Sequence, residues 1–101
     1  MMHRCQKLRD AARDRDCTMN SPMCNGNPAT TTWCHSDHQE HGKGVGLKAH
    51  DIFGFFGCSG CHEWYDTESR RLGVSNEERR AAFTRAHDRS VLIIVQERIL
   101  K

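Results

Sequence analysis

Long apolar runs are missing from this sequence of 101 residues. The longest, VLIIV at 91–95, is far shorter than the roughly 20 residues that a membrane-spanning helix needs. The N-terminal stretch MMHRCQKLRD is charged from its third residue, which is not typical of a signal peptide. We therefore expect a single cytoplasmic domain without membrane contact. In a reducing compartment, cysteines are more often metal ligands than disulfide partners.

Hydrophobic residues are also scarce, at 37% of the chain, and the clearly apolar segments are 52–56 and 91–95. A domain of this size gains only a thin margin of stability from burial alone. Six cysteines and seven histidines are the candidates for additional stabilisation by a metal. The net charge is only +2, so any affinity for DNA would come from a local basic surface or from a metal ion.

The segment CSGCH at 58–62 matches the attachment motif of a c-type haem, and the same spacing also occurs in other kinds of site. Covalent haem attachment generally follows export, and a thioredoxin-like dithiol needs a βαβ setting, so both are disfavoured. The same spacing describes a zinc knuckle, in which both sulfurs point to one side of a tight turn. A second cysteine pair lies upstream. We therefore predict one structural zinc ion held by four thiolates, those of Cys17, Cys24, Cys58 and Cys61.

Local patterns predict an α+β domain that occupies the whole chain, 1–101. Residues 6–16 have the pattern of a short, solvated surface helix. A hairpin is predicted over 30–57, where two strand-like segments flank a long polar, Gly-rich loop. Helices are predicted at about 61–71 and at 76–100, the second beginning at the capping box S-N-E-E. VLIIV is also strand-like, but the cap and the Ala-rich start favour helix.

Two histidines stand where these elements begin or end. His35 lies at the predicted end of the first strand, and His62 follows Cys61 on the first turn of a predicted helix. Asp66 comes four residues after His62, hence on the same helical face. Four cysteines close the coordination of a zinc ion, which leaves His62 and Asp66 as a partial shell for a second divalent ion.

This order of strand, histidine, long loop, strand and histidine-bearing helix resembles the ββα-metal core of the HNH (His-Me finger) nucleases. More narrowly, the chain resembles the YbcO-type nucleases of prophages over about residues 8–100. The matching segments are LRDAARDRDC, CNGNPATTTWCHS, GKGVGLKAHDIFGFFGCSGCHEWYD and the later helical tail. The resemblance implies a small ββα-metal core with a structural zinc site and flanking helices. It also implies a metal-dependent DNA endonuclease that acts in phage recombination or replication.

The resemblance implies a role for each matching residue. His35 would be the general base that deprotonates water, and His62 would bind a catalytic Mg²⁺ or Mn²⁺ ion. Asp51 falls about where the middle Asn of the motif sits, and it would aim the His35 ring. Asp66, or a loop residue such as Asp37, would complete the metal shell; His38 is a further candidate for that position.

The sequence also departs from the HNH pattern. Cys34 stands where many such enzymes carry an acidic metal ligand, and Asp51 replaces an Asn. Lys43 and Lys48, in the Gly-rich loop, are candidates for contact with a DNA backbone, and VLIIV would suit a homodimer contact. The alternative function is a zinc-stabilised accessory module that binds DNA or protein without turnover.

Overall fold

The computed structural model describes residues 6–35 and 53–99. Over these two ranges the chain is α+β, as predicted, with helices around one two-stranded antiparallel sheet. Five residues with predicted roles lie outside the described ranges, namely Asp37, His38, Lys43, Lys48 and Asp51.

The sheet is the predicted hairpin, and it carries the core on both of its faces. Strand β1 is Thr32–His35 and strand β2 is Gly54–Gly57, paired so that His35 lies opposite Gly54. Successive side chains of a strand point to opposite faces, so each strand supplies two different cores. All residues of β2 are buried, because packed side chains cover both faces.

One face of the hairpin packs against an aromatic cluster. The Phe55 ring meets Tyr65 edge-on at 5.7 Å and Phe83 edge-on at 5.8 Å. Cys34, Cys58 and the residues around them belong to the same cluster. This core therefore connects the strands directly to the cysteine-bearing segments.

The other face of the hairpin packs against the N-terminal helix. Trp33 meets Phe56 edge-on at 5.0 Å, and both rings pack with Leu8, Ala12 and Ile94. Leu8 and Ala12 are fully buried and come from one side of this helix. The burial of these two side chains places the helix alongside β1.

The N-terminal helix, α1, is shorter than predicted. It runs over Gln6–Ala12 and ends four residues before the predicted end of 6–16. Asp14 has φ of +55°, in the left-handed region, where an α-helix cannot continue. A single 3₁₀ turn, Pro28–Thr30, precedes β1.

The helix after the hairpin is not the single regular helix predicted at about 61–71. It begins earlier, as α2 over Ser59–Glu63, widens into a π-helical turn over Trp64–Glu68, and finishes as α3 over Ser69–Arg71. A π turn inserts an extra residue into the helix, and such turns are frequent at functional sites.

Helix α4 spans Asn76–Gln96, so VLIIV is helical as predicted. The Ser75 hydroxyl accepts from the backbone N–H of Glu78 at 3.1 Å, which is the predicted cap. The helix ends before 100, because Arg98 has φ of +53°. None of the helices in the described ranges combines the length and apolarity required to cross a membrane.

Candidate metal centre and active site

Four cysteines come together at the base of the hairpin. Their sulfur atoms all lie within 4.8 Å of one another, and those of Cys24 and Cys58 are 3.8 Å apart. The latter matches the roughly 3.8 Å between sulfurs that follows from a tetrahedral ion with bonds of about 2.3 Å to sulfur. A disulfide would need about 2.05 Å, and the cysteines are free thiols. The other two members are Cys17 and Cys61.

Local structure positions two of these sulfurs around the start of α2. Cys58 is the N-cap, and its sulfur accepts from the backbone N–H of Cys61 at 3.4 Å. Gly60 lies between them against the backbone of Met23, where a β-carbon would clash with the Met23 carbonyl oxygen. The knuckle therefore packs directly on the loop that carries Cys24.

The Cys17 side of the cluster is attached to β2. The neighbouring residue Thr18 donates from its backbone N–H to the Phe56 carbonyl at 2.8 Å, and its hydroxyl lies 2.9 Å from the same oxygen. The Thr18 hydroxyl also lies 3.0 Å from that of Ser90, while Arg89 donates to the Thr18 carbonyl at 2.9 Å. These contacts fix the N-terminal cysteine loop relative to both the sheet and α4.

Backbone and hydroxyl donors surround the sulfurs. Ser21 donates to the Cys61 sulfur from its N–H at 3.3 Å and from its hydroxyl at 3.1 Å. The N–H of Asn25 donates to the Cys58 sulfur at 3.5 Å. Such donors favour the thiolate form, and they are the outer contacts that orient metal ligands.

The protonation states of the cluster show how closely its thiols interact. A hydrogen bond between Cys61 and Cys17 lowers the pKa of Cys17 and raises the pKa of Cys61. Two neighbouring thiolates repel each other unless a positive charge lies close to both. A bound cation supplies that charge, so the donor set fits a tetrahedral, thiolate-binding metal.

Cys34 does not belong to this cluster. It is fully buried in the hairpin core, and burial raises the pKa of its thiol to about 12. Its sulfur lies 3.7 Å from the carbonyl oxygens of Thr32 and Gly57. Cys34 is therefore an inert core residue at neutral pH.

His62 and Asp66, the two predicted ligands of a second divalent ion, lie side by side on the helical segment that follows Cys61. The Nε2 atom of His62 is 2.9 Å from a carboxylate oxygen of Asp66, and both side chains are about half exposed. The hydrogen bond to Asp66 raises the pKa of His62. Adjacent ligands on an octahedral ion with bonds of about 2.1 Å are roughly 3.0 Å apart, so this pair fits two neighbouring positions. Within 6–35 and 53–99, only the four cysteines form a group of three or more potential ligands.

A cleft of about 440 Å³ opens beside His62. It runs between the end of α1, the start of β1 and the first turn of α2. Its walls combine basic, hydroxyl and aromatic side chains from these elements, namely Arg9, Arg13, Thr31, Thr32, Trp33 and His62.

His35 is the last residue of β1 and is half-buried there. A second histidine, which was not predicted from the sequence, packs against the same end of the hairpin. His87, from α4, lies with its Nδ1 2.7 Å from the Gly54 carbonyl oxygen, and its ring stacks on Phe83 at 5.7 Å. Since a carbonyl can only accept, Nδ1 is the donor in this hydrogen bond. The available signal was its spacing from Phe83, one helical turn earlier.

The chain is similar in sequence to one protein family and to curated relatives from a bacterium and a phage. The sequence model of one protein family, described as "Putative nuclease YbcO", matches residues 6–98. Curated relatives named "Putative nuclease YbcO", from Escherichia coli (strain K12), and "Putative nuclease ybcO", from Enterobacteria phage 82, are each 40% identical over 60 residues. Those residues are 58% of this chain, and they span 62% of the length of either relative.

A solved structure has the same fold. It is described as "Structure of a putative bacteriophage protein from Escherichia coli str. K-12 substr. MG1655" and is 28% identical, with a TM-score of 0.70. The match covers 91% of this chain and 100% of that one.

Proposed function

We propose that this chain, which belongs to the YbcO family, is a metal-dependent endonuclease of the HNH type that hydrolyses DNA phosphodiester bonds. The observation that carries the proposal is the His62–Asp66 pair, 2.9 Å apart on a helix whose start is clamped by the cysteine cluster. The first strand of the hairpin, β1, ends in His35. We place the activity in phage recombination or replication, which accords with a relative from a phage.

The four cysteines would hold a structural zinc ion. The burial of Cys58 and Cys61, the 3.8 Å sulfur separation and the N–H donors to sulfur all suit a closed tetrahedral site. Such a site has no open position, so it does not take part in the reaction. Its role would be to join the N-terminal loop to the first turn of α2 and so to hold His62 in place.

His62 and Asp66 would bind a catalytic Mg²⁺ or Mn²⁺ ion. The carboxylate oxygen is the ligand type that these ions prefer, and the imidazole nitrogen would add a second ligand. The remaining positions would be filled by water, substrate oxygens or a residue of 36–52. When bound, the ion stabilises negative charge on the phosphate and on the departing 3′-oxygen. The present hydrogen bond between the two side chains would be replaced by a bond from each to the ion.

His35 would act as the general base. Its neutral imidazole accepts one proton from a water molecule, and the resulting hydroxide forms a bond to phosphorus while the bond to the 3′-oxygen breaks. Asp51 would aim the His35 ring, and Lys43 and Lys48 would contact the DNA backbone. His87 holds the Gly54 carbonyl opposite His35, which keeps the start of β2 in register there.

A nicking assay on supercoiled plasmid tests this function. The parent protein should convert the plasmid to the open circle with Mg²⁺ or Mn²⁺, and His35→Ala or His62→Ala should reduce the rate by at least about 100-fold, as for loss of a general base or metal ligand. Asp66→Asn should also reduce the rate. Asp88→Asn, the same change at an exposed carboxylate on α4, is the matched control and should remain fully active.

Zinc content and circular dichroism on each variant keep the result interpretable. All four variants should retain one zinc ion and the parental helix content, since none alters a cysteine. Nicking that persists in His35→Ala and His62→Ala would contradict the assigned roles. A folded, zinc-loaded parent that nicks with neither ion would favour the accessory module, which binds DNA or protein without turnover.

A further inference from the structure

We propose that the cleft beside His62 binds a phosphate of the DNA backbone next to the one that is cleaved, with Arg9 and Arg13 as the cationic contacts and Thr31 as a hydroxyl donor. This inference rests on the proposed function for the identity of the ligand, but it concerns residues to which no role has been assigned above. The segment 6–16, predicted as a solvated surface helix, would then face the substrate.

The position of α1 supplies the two charges. Leu8 and Ala12 are fully buried against Trp33 and Phe56, and this packing fixes the rotation of the helix on β1. Arg9 lies on α1, and Arg13 lies in the turn that follows its last residue, Ala12. Arg9 is half-buried and Arg13 exposed, and both line the cleft.

Among the described residues, little in the cleft neutralises these charges. In that part of the chain its lining holds two arginines and a histidine but no carboxylate. Arg13 lies 3.7 Å from Asp10, an exposed pair of the kind that contributes little free energy. The cleft is therefore a local basic surface on a chain whose net charge is only +2.

An independent observation points to a ligand with oxygen acceptors. Thr31 lines the cleft, and its buried hydroxyl has no hydrogen-bond partner among the residues that the structure describes. A buried hydroxyl without a partner is unfavourable in a folded protein. A phosphate oxygen bound in the cleft would supply the missing acceptor.

The location of the cleft connects this phosphate to the reaction. His62 forms part of the same wall, and its Nε2 is the atom proposed to bind the catalytic ion. A strand whose scissile phosphate lies at that ion can place a neighbouring phosphate between Arg9 and Arg13. The cleft would thereby set the position of the backbone without reading base sequence.

Binding measured without turnover tests the proposal. A fluorescently labelled DNA duplex is titrated with His35→Ala protein, in which cleavage is blocked, and anisotropy is followed at several salt concentrations. Arg9→Gln/Arg13→Gln in this background should weaken binding roughly tenfold and reduce the slope of log K against log salt by about 1, because one phosphate contact is lost. Lys7→Gln/Arg85→Gln is the charge-matched control; Lys7 lies on α1 outside the cleft, and Arg85 lines a different one.

Thr31→Val separates a binding role from a structural one. It replaces the hydroxyl with a methyl group of similar size, so the midpoint of thermal unfolding should stay the same or rise. Binding of the duplex should nevertheless weaken several-fold. A loss of stability with unchanged binding would show that the hydroxyl serves the fold and would remove it from the proposal.

The outcomes distinguish this inference from the proposed nuclease activity. Equal weakening in the control pair and the cleft pair, or no DNA binding by the parent, would overturn the cleft as a phosphate site. Nicking lost only in His35→Ala and His62→Ala, with Arg9→Gln/Arg13→Gln in the parental background fully active, would retain the nuclease and reject the cleft. Selective weakening in the cleft pair by a protein that never nicks would retain the cleft and reject the nuclease.

Discussion

At the scale of single residues, the geometry of the cysteine cluster depends on Gly60, which has no side chain. Two loops approach each other there so closely that the Met23 carbonyl occupies the space of a side chain. This contact brings the sulfurs of Cys24 and Cys58 to 3.8 Å. The glycine is needed for this close approach of two backbones, since its backbone lies in an ordinary helical segment.

Gly60→Ala should separate the two loops and weaken metal binding. The added methyl group meets a carbonyl oxygen of the backbone, which cannot move without shifting Cys24. We expect the affinity for zinc to fall about 10- to 100-fold, the range seen when contacts that orient ligands are lost. Competition for zinc with a chromophoric chelator measures this directly.

Gly73→Ala is the matched control for that experiment. Gly73 has φ of +80° and open space around its α-carbon, so alanine there is strained but meets no neighbour. We expect about 1 kcal/mol of lost stability with an unchanged affinity for zinc. An equal loss of affinity in the two variants would contradict the role given to the Met23 contact.

At the scale of elements, the π turn between α2 and α3 depends on a side chain from α4. Arg79 is buried, donates to the Tyr65 carbonyl at 2.7 Å and to the Ser69 hydroxyl at 2.9 Å, and lies over the Tyr65 ring at 5.1 Å. The widened turn begins two residues after His62 and contains Asp66. Arg79 therefore supports the segment in which the candidate metal ligands lie.

Arg79→Met should destabilise this segment while leaving the cysteine cluster intact. Methionine preserves much of the packed volume but leaves two buried acceptors without their donor, so the free energy of unfolding should fall by about 2–4 kcal/mol. Urea denaturation measures this loss, and zinc content should stay at one ion per chain. Arg85→Met, at an exposed position of α4, should change stability by no more than about 0.5 kcal/mol. Equal stability of the two variants would refute the role of Arg79.

These elements also show what sequence could and could not predict. Short sequence patterns encode the strands of the hairpin, the Ser75 cap and the cysteine pairs. These patterns were sufficient to predict the α+β class. The π turn was not predicted, and the Arg79 side chain that contacts it comes from another helix. Arg9 and Arg13 were taken as part of a solvated face, since only the packing of Leu8 beneath them shows that they line a cleft beside His62.

At the scale of the whole molecule, two small cores on opposite faces of a short hairpin have to be joined. The core around Phe55 includes Cys58 and Cys61, whereas the one around Phe56 includes α1 and the end of α4. The chain between α1 and β1 carries Cys17 and Cys24 and passes from one core to the other. A bidentate ion pair between Arg15 and Glu97, at 2.7 and 2.8 Å, also connects this segment to the end of α4.

Removal of zinc should therefore unfold the protein cooperatively. Structural zinc sites of this kind contribute about 10–16 kcal/mol of apparent binding free energy at neutral pH, which exceeds the stability of a typical small domain. Addition of a strong chelator should abolish the helical circular dichroism signal, and readdition of Zn²⁺ should restore it. Cys58→Ser should be unfolded as isolated, because it lacks a buried ligand. Cys34→Ser, at a fully buried thiol outside the cluster, is the control and should keep both zinc and fold. A folded Cys58→Ser protein without zinc would mean that the two cores are sufficient by themselves and that the cluster has another purpose.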